Sequence, residues 1–306
     1  MARYRVSSIH HVVPQQSSVP LNRQRVRLAA GEYGACSCTA WHRRGRIPAV
    51  SVPVAAWQRP AFRATGRPAV VMLLAFTDDN ASGAAPELQL AGSVPKTAPA
   101  AALEIRLHRY ADSSAWIDGW RTGAFRNIAG QQIRDLASLD AASCCYSITV
   151  EVDDPTDLAY LQLAWAVAAS LAQAGSCAIL DVYAATWRSG AAVASLSPDR
   201  PFTIQREVSV IHETEPSAGF GHPVHTRGMI KFGRPDLIAG VSADLIEDTG
   251  RVLNHLARML AEGDMLVPGQ RLRFDGRRTV LVTPYTPDVT TPEVNLANDG
   301  LLLVDV

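Results

Sequence analysis

Lysine is almost missing from this 306-residue chain: only Lys96 and Lys231 occur, against 27 arginines. That bias accompanies a GC-rich coding sequence and makes each lysine worth locating. Acidic residues are missing from the first 77 positions apart from Glu32, while 11 arginines stand there, so this stretch is net +10. Residues 78–306 hold 18 basic and 28 acidic side chains and are net −10. The whole chain balances at 29 of each sign, which removes the charge signature of a nucleic-acid-binding protein. Cysteine is sparse. Five in a chain of this length build no disulfide framework, and an odd number leaves one unpaired. Cys36, Cys38, Cys144, Cys145 and Cys177 are read as reduced thiols, none with metal-site spacing.

Long apolar runs are also lacking. The longest, Leu158 to Ala174, is interrupted by Gln162, Ser170 and Gln173 and falls short of the roughly 20 residues that span a bilayer. No signal-peptide core follows the first residue, so no membrane partner and a cytoplasmic location are expected. No Gly-x-Ser-x-Gly elbow, Gly-x-x-x-x-Gly-Lys-[Ser/Thr] loop or dinucleotide fingerprint occurs, and no cofactor is expected.

What is present is an ordinary globular mixture, 47% hydrophobic and 19% charged, enough for a sizeable core. Residues 1–69 show little periodicity and carry prolines at 14, 20, 48, 53, 60 and 68. They read as a disordered basic extension, although an Arg-rich, acid-poor leader also resembles a transit peptide or a nucleic-acid-binding tail. Because Met72 lies inside the first convincing strand, Val70 to Phe76, a biological start at or near Met72 is a further expectation.

Residues 70–306 read as a single α+β domain. Strands are expected at 70–76, 103–108, 144–152, 177–183, 202–211, 270–274, 279–283 and 301–306. Asp154 as N-cap and Pro155 at the first helical position start a helix that Gly175 ends and whose circumference is almost wholly apolar, so it is central. A second helix runs from Ala243, capped by Ser242, to Glu262, with Gly263 as its stop and one narrower apolar stripe, so it lies at the surface. Strand 144–152, the first helix and strand 177–183 form a βαβ-type unit, which favours a mixed β-sheet covered by two main helices.

The densest cluster of ionisable and conformationally special residues lies between Gly219 and Leu237. It reads as a rigid loop presented to solvent, with His222, His225, Arg227, Lys231, Arg234 and Asp236 as ligand- or partner-binding residues. Gly228, Phe232, Gly233 and Leu237 would shape its backbone. His212, Glu213, His222 and His225 carry metal-ligand chemistry, but their spacing is not that of a helical His-Glu-x-x-His site, and no metal is assigned. Trp116, Trp120 and Phe125 form either a partner patch or the packing under a short helix.

At His225 to Leu237 the chain resembles a bacterial family of domains of unknown function that share a Gly-x-x-x-Phe-Gly-x-x-[Glu/Asp]-Leu stretch before an amphipathic helix, here Gly228, Phe232, Gly233, Asp236 and Leu237. The resemblance spans residues 70–283 and implies an α+β fold; it supplies no activity. With no reactive constellation complete, the expectation is a non-catalytic bacterial interaction module, an inhibitory or immunity-type partner of another protein. The alternatives are a small-anion-binding regulatory domain using Arg227 and Lys231, and a metal-assisted hydrolase using the 212–225 His/Glu cluster.

Overall fold

A computed structural model describes residues 54–78, 88, 90, 92–274, 278–286 and 298–306. The fold is α+β, as expected, with its strands divided between two sheets. The first contains β1 (Pro68–Thr77), β2 (Leu103–Arg109), β3 (Cys144–Asp153), β4 (Ala178–Asp181) and β5 (Thr186–Ser189) in the order β2-β3-β1-β4-β5. Every neighbouring pair is antiparallel. Helices α1 (Tyr110–Arg121), α2 (Gly123–Gln132) and α3 (Leu136–Ala141) lie between β2 and β3, and α4 (Ala159–Gln173) links β3 to β4.

The expected βαβ unit is present in split form. β3 and β4 each run antiparallel to β1, so they are parallel to one another with β1 inserted between them. The composition of β1 explains its central place: both faces are apolar, as a strand buried on two sides requires. Val71, Leu73 and Ala75 face the main core with α4, while Leu74 and Phe76 face a second cluster with Ile117, Trp120, Ile128 and Leu139. Trp116, Trp120 and Phe125 are thus packing residues; Trp116 stacks on His108 at 3.8 Å between ring centroids, and Trp120 lies 5.4 Å from Phe125.

The second sheet contains β6 (Ser209–His212), β7 (His222–Arg227), β8 (Asp236–Val241), β9 (Arg271–Phe274), β10 (Arg278–Tyr285) and β11 (Gly300–Asp305), ordered β6-β7-β8-β11-β10-β9. Only β8 and β11 pair in parallel. Between the sheets in sequence lie α5 (Gly190–Ala194) and a 3-10 turn at Ile204–Arg206; α6 (Ile246–Ala261) packs on the second sheet. Leu253, Leu256 and Leu260 of α6 join Val224, Leu237, Ala239, Val280, Val282 and Leu301 in the same core that holds α4 and β1. The sheets also meet edge to edge, where the Ser209 hydroxyl donates to the Ala184 carbonyl at 2.7 Å and lies 3.1 Å from the Thr186 hydroxyl. Among the described residues no helix is long and apolar enough to cross a membrane.

Three expectations need correction. Residues 54–67 belong to the folded structure, whereas the extension was expected to reach 69; residues 1–53 lie outside the described residues. Trp57 is buried, its N–H donates to Gln162 Oε1 at 2.9 Å, and Arg59 donates to the carbonyls of Ala261, Pro155 and Phe232 at 3.0, 2.8 and 3.0 Å. A chain starting at Met72 would lack all of these groups. Asp154 is not a helix cap: its carboxylate accepts the N–H groups of Thr65 and Gly66 at 2.7 and 2.8 Å, and α4 starts four residues after Pro155. There Asp157 takes the Ala159 N–H at 2.9 Å. Finally, the stretch 202–211 is a strand only from Ser209, because the chain first turns at Ile204–Arg206 to send Glu207 inward.

Candidate functional site

The sequence between Gly219 and Leu237 forms β7, the turn that follows it and the first two residues of β8 instead of one irregular loop. β7 and β8 are joined by a 3-10 turn, Met229–Phe232, bounded by Gly228 at φ 113° and Gly233 at φ 62°. Both glycines are required twice over. Their left-handed backbone disfavours any side chain, and a Cβ would lie 2.8 Å from the Glu207 carbonyl oxygen at Gly228 and 2.9 Å from that of Arg67 at Gly233. The turn is pressed between the two sheets, with Met229 and Phe232 in the shared core.

Lys231 projects from this turn into the interior and is 0% exposed. Its ammonium pairs with Asp181 Oδ2 at the end of β4 and donates to Glu207 Oε2 at 3.1 Å. The same Glu207 oxygen accepts the Trp165 indole N–H at 3.0 Å, and the Tyr160 hydroxyl donates to the Lys231 carbonyl at 2.5 Å. α4, the first sheet, the 3-10 turn before β6 and the β7–β8 turn are thereby joined through one ammonium. Burial alone would pull the lysine pKa down, but Asp181 and Glu207 beside it carry it above the usual value, so it stays charged. Burial raises the Asp181 carboxyl despite Lys231.

Arg234 is 2% exposed and faces oxygens of the backbone. Its Nε donates to the Asp264 carbonyl at 2.9 Å, Nη2 to those of Arg63 and Gly263 at 2.7 Å each, and Nη1 to the Thr65 hydroxyl and Gly233 carbonyl at 3.3 Å. Burial, reinforced by nearby Arg59, lowers its pKa to about 10. Arg59 and Arg234 together lace residues 59–67 to the turn and to the end of α6.

Asp236 is equally internal. Its Oδ1 accepts the Thr226 hydroxyl at 2.9 Å and the Met229 N–H at 3.2 Å, while the Thr226 oxygen accepts the Leu237 N–H at 2.8 Å. Burial pushes the carboxyl up to about 6 against these two bonds. Such a group binds its proton more tightly in the folded state, so the fold is weakened as pH rises through about 6. Asp236→Asn keeps an acceptor for both donors and cannot ionise. We expect it to be more stable than the parent near neutral pH by on the order of 1–3 kcal/mol, with the advantage gone near the unfolded carboxyl value of 3.8. Urea unfolding at the two pH values measures this, and a variant less stable at both would contradict it.

The remaining predicted residues separate. His225 and Arg227 lie on β7, 2% and 8% exposed. His225 Nε2 is 3.6 Å from Glu213 Oε1, and Arg227 Nε has no hydrogen-bond partner among the described residues. His222 is half-buried, its Nδ1 3.4 Å from the Glu213 carbonyl. His212 is in register with Val224 whereas His225 is in register with Ile211, so the two imidazoles occupy opposite faces of the sheet. Among the described residues no three His, Cys, Asp or Glu side chains come together to hold a metal ion. The expectation of a solvent-facing, cation-studded loop is therefore corrected: His225, Arg227, Lys231, Arg234 and Asp236 are interior. Their types read as surface because charged residues are rarely fully buried unless paired.

Three groups central to this cluster were not anticipated, namely Asp181, Glu207 and Trp165. Asp181 had a visible signal, an acid ending the apolar run Ala178-Ile-Leu, which calls for an internal cation; Glu207 and Arg59 had none. No protein-family model matches the chain, and no match is found among curated proteins or solved structures.

Proposed function

We propose that this chain is a non-catalytic interaction module, an inhibitory or immunity-type partner of another bacterial protein, whose most ion-rich sequence stretch serves as its internal clamp. The observation that carries this reading is the full internal use of Lys231, Arg234 and Asp236. Each is buried and bonds to groups of the same chain, so these residues serve to join segments of the fold. Fixed in that way, they serve a rigid scaffold better than turnover, which requires a reactive group within reach of substrate. The Gly228-x-x-x-Phe-Gly-x-x-Asp-Leu237 resemblance is then a resemblance of architecture: two glycines for close approach, Phe232 and Leu237 for the core, and Asp236 to tie the turn to β7.

The test is purification of the tagged full chain from its own host under native conditions. A single protein retained in fixed stoichiometry through size-exclusion chromatography is expected, and its loss on rewashing at moderate salt would show a contact rich in charge. A chain that elutes alone from cells at every growth stage would refute the interaction role.

A further inference from the structure

Some arginines of the described residues lie beside an acid, while the buried Arg59 and Arg234 bond to backbone carbonyls instead. Arg63, Arg67, Arg121, Arg126, Arg258 and Arg278 each pair with a carboxylate. Arg188, Arg200 and Arg206 lie near one another without such an acid. Arg188 stands on β5, Arg200 lies in the connection after α5, and Arg206 ends the 3-10 turn Ile204–Arg206. The Arg188 Nη2 donates to the Arg206 carbonyl at 2.6 Å, its Nε is buried without a partner among the described residues, and its guanidinium carbon lies 5.1 Å from the centre of the Trp165 ring. The Arg200 guanidinium lies 5.1 Å from the centre of the Trp57 ring, and the Trp57 indole N–H donates to the Arg200 carbonyl at 2.9 Å.

Among the described residues none of the three forms an ion pair with a carboxylate. Glu207, the acid between them, is already taken by Lys231 and Trp165, and Asp199 accepts from the Ser197 hydroxyl. Arg200 is attracted by the Glu207 charge and repelled by the like charges of Arg206 and Arg188. Arg200 Nη1 donates to the Ser197 carbonyl at 3.2 Å; its other donors and those of the exposed Arg206 side chain have no partner among the described residues, and a guanidinium with adjacent open donors receives a carboxylate through two parallel hydrogen bonds. A group of like charges with free donor edges is stabilised when an anion arrives. Three segments carry these charges, which suits successive carboxylates of a peptide better than one compact ion.

We infer that Arg188, Arg200 and Arg206 form the contact surface for an acidic segment of a protein partner, whose carboxylates take the accessible guanidinium donors that the chain's own groups leave open. This rests on the interaction role proposed above and gives that partner its chemistry.

The experiment is fluorescence anisotropy of labelled hexaglutamate with the full chain. Saturable binding is expected, weaker as salt is raised, and weakened about tenfold or more by Arg200→Gln with Arg206→Gln. Lys96→Gln, which removes an exposed charge elsewhere, should leave it unchanged. Loss of the Arg200 stack on Trp57 could disturb the fold, so Arg206→Glu serves as the second variant. The Arg206 side chain is exposed and only its carbonyl bonds to Arg188, so the urea midpoint should stay in place while hexaglutamate affinity falls. Absence of saturable binding, equal affinity in parent and variants, or tighter binding of labelled oligothymidylate would each overturn the inference. A native partner recovered in undiminished yield with Arg206→Glu would sink this surface and leave the interaction role standing, whereas recovery of no partner would sink that role itself.

Discussion

Lys231→Ala is expected to lower the unfolding free energy by about 3–5 kcal/mol, the range for removing one partner of a buried ion pair. The loss does not come from the pair's own attraction alone. Without the ammonium, Asp181 and Glu207 remain in the interior with no cation to balance them, and the indole N–H of Trp165 donates to a carboxylate that burial no longer tolerates as an anion. Two consequences separate this cause from simple loss of side-chain packing. Acidification should recover part of the loss in Lys231→Ala, because protonating the two carboxylates removes the uncompensated charge. Adding Asp181→Asn should recover part of it at neutral pH, since Asn keeps an acceptor for the Ala184 N–H that Asp181 now receives at 3.1 Å. Urea midpoints across pH for the single and double variants measure both effects. A midpoint within experimental scatter of the parent would mean that Lys231 is not held as described.

A chain shortened to begin at Met72 is expected not to fold. The shorter chain loses the pairing of Pro68, Ala69, Val70 and Val71 with Asp153, Val152, Glu151 and Val150 in the central strand of the first sheet. It also loses the buried indole of Trp57 and three carbonyl bonds from Arg59, and it leaves the Arg234 guanidinium without the Arg63 carbonyl and Thr65 hydroxyl. Removing a large buried aromatic side chain alone costs about 3–5 kcal/mol, a large part of the roughly 5–15 kcal/mol that holds a domain together. Circular dichroism during heating distinguishes the outcomes: no cooperative transition is expected from the Met72 chain, and a parent-like transition from it would show that residues 54–71 are dispensable.

Much of the fold was legible in the sequence where one physical signal dominates. β1, β2, β3, β10 and β11 announce themselves by apolar runs or alternation, and their observed ends lie within three residues of the expected ones. α6 was visible through its single apolar stripe and Gly263, and α4 through its apolar circumference. The start of α4 was misplaced because Asp154 and Pro155 have the residue types of a helix start, yet the Asp154 carboxylate is claimed by Thr65 and Gly66, about ninety positions away. Local pattern carries no information about that competitor.

The candidate site failed in the same way and on a larger scale. His222-Pro-Val-His-Thr-Arg227 alternates polar and apolar residues too weakly to signal a strand, and Arg, Lys and Asp are surface residues by default. Their burial depends on partners brought from four other segments, namely Asp181, Glu207, residues 63–65 and Gly263-Asp264. The role of Gly228 and Gly233 as close-approach positions was partly readable, because a Phe-Gly pair after a Gly-rich stretch indicates a constrained turn. Which surfaces approach them was not. The Arg188, Arg200 and Arg206 cluster was invisible for a related reason: its members come from separate segments, and their proximity is apparent only once the chain is folded.

The central claim, that the Gly228–Leu237 stretch is an internal clamp and not an exposed site, has a direct test because the chain has two lysines. Brief amine acylation of the native protein, followed by mass spectrometry of peptides carrying each lysine, compares them within one molecule. Lys96, which is exposed, should be labelled rapidly, whereas Lys231, fully buried between Asp181 and Glu207, should stay unmodified until urea unfolds the chain and then react as fast as Lys96. Equal labelling of Lys231 and Lys96 in the native protein would contradict the account.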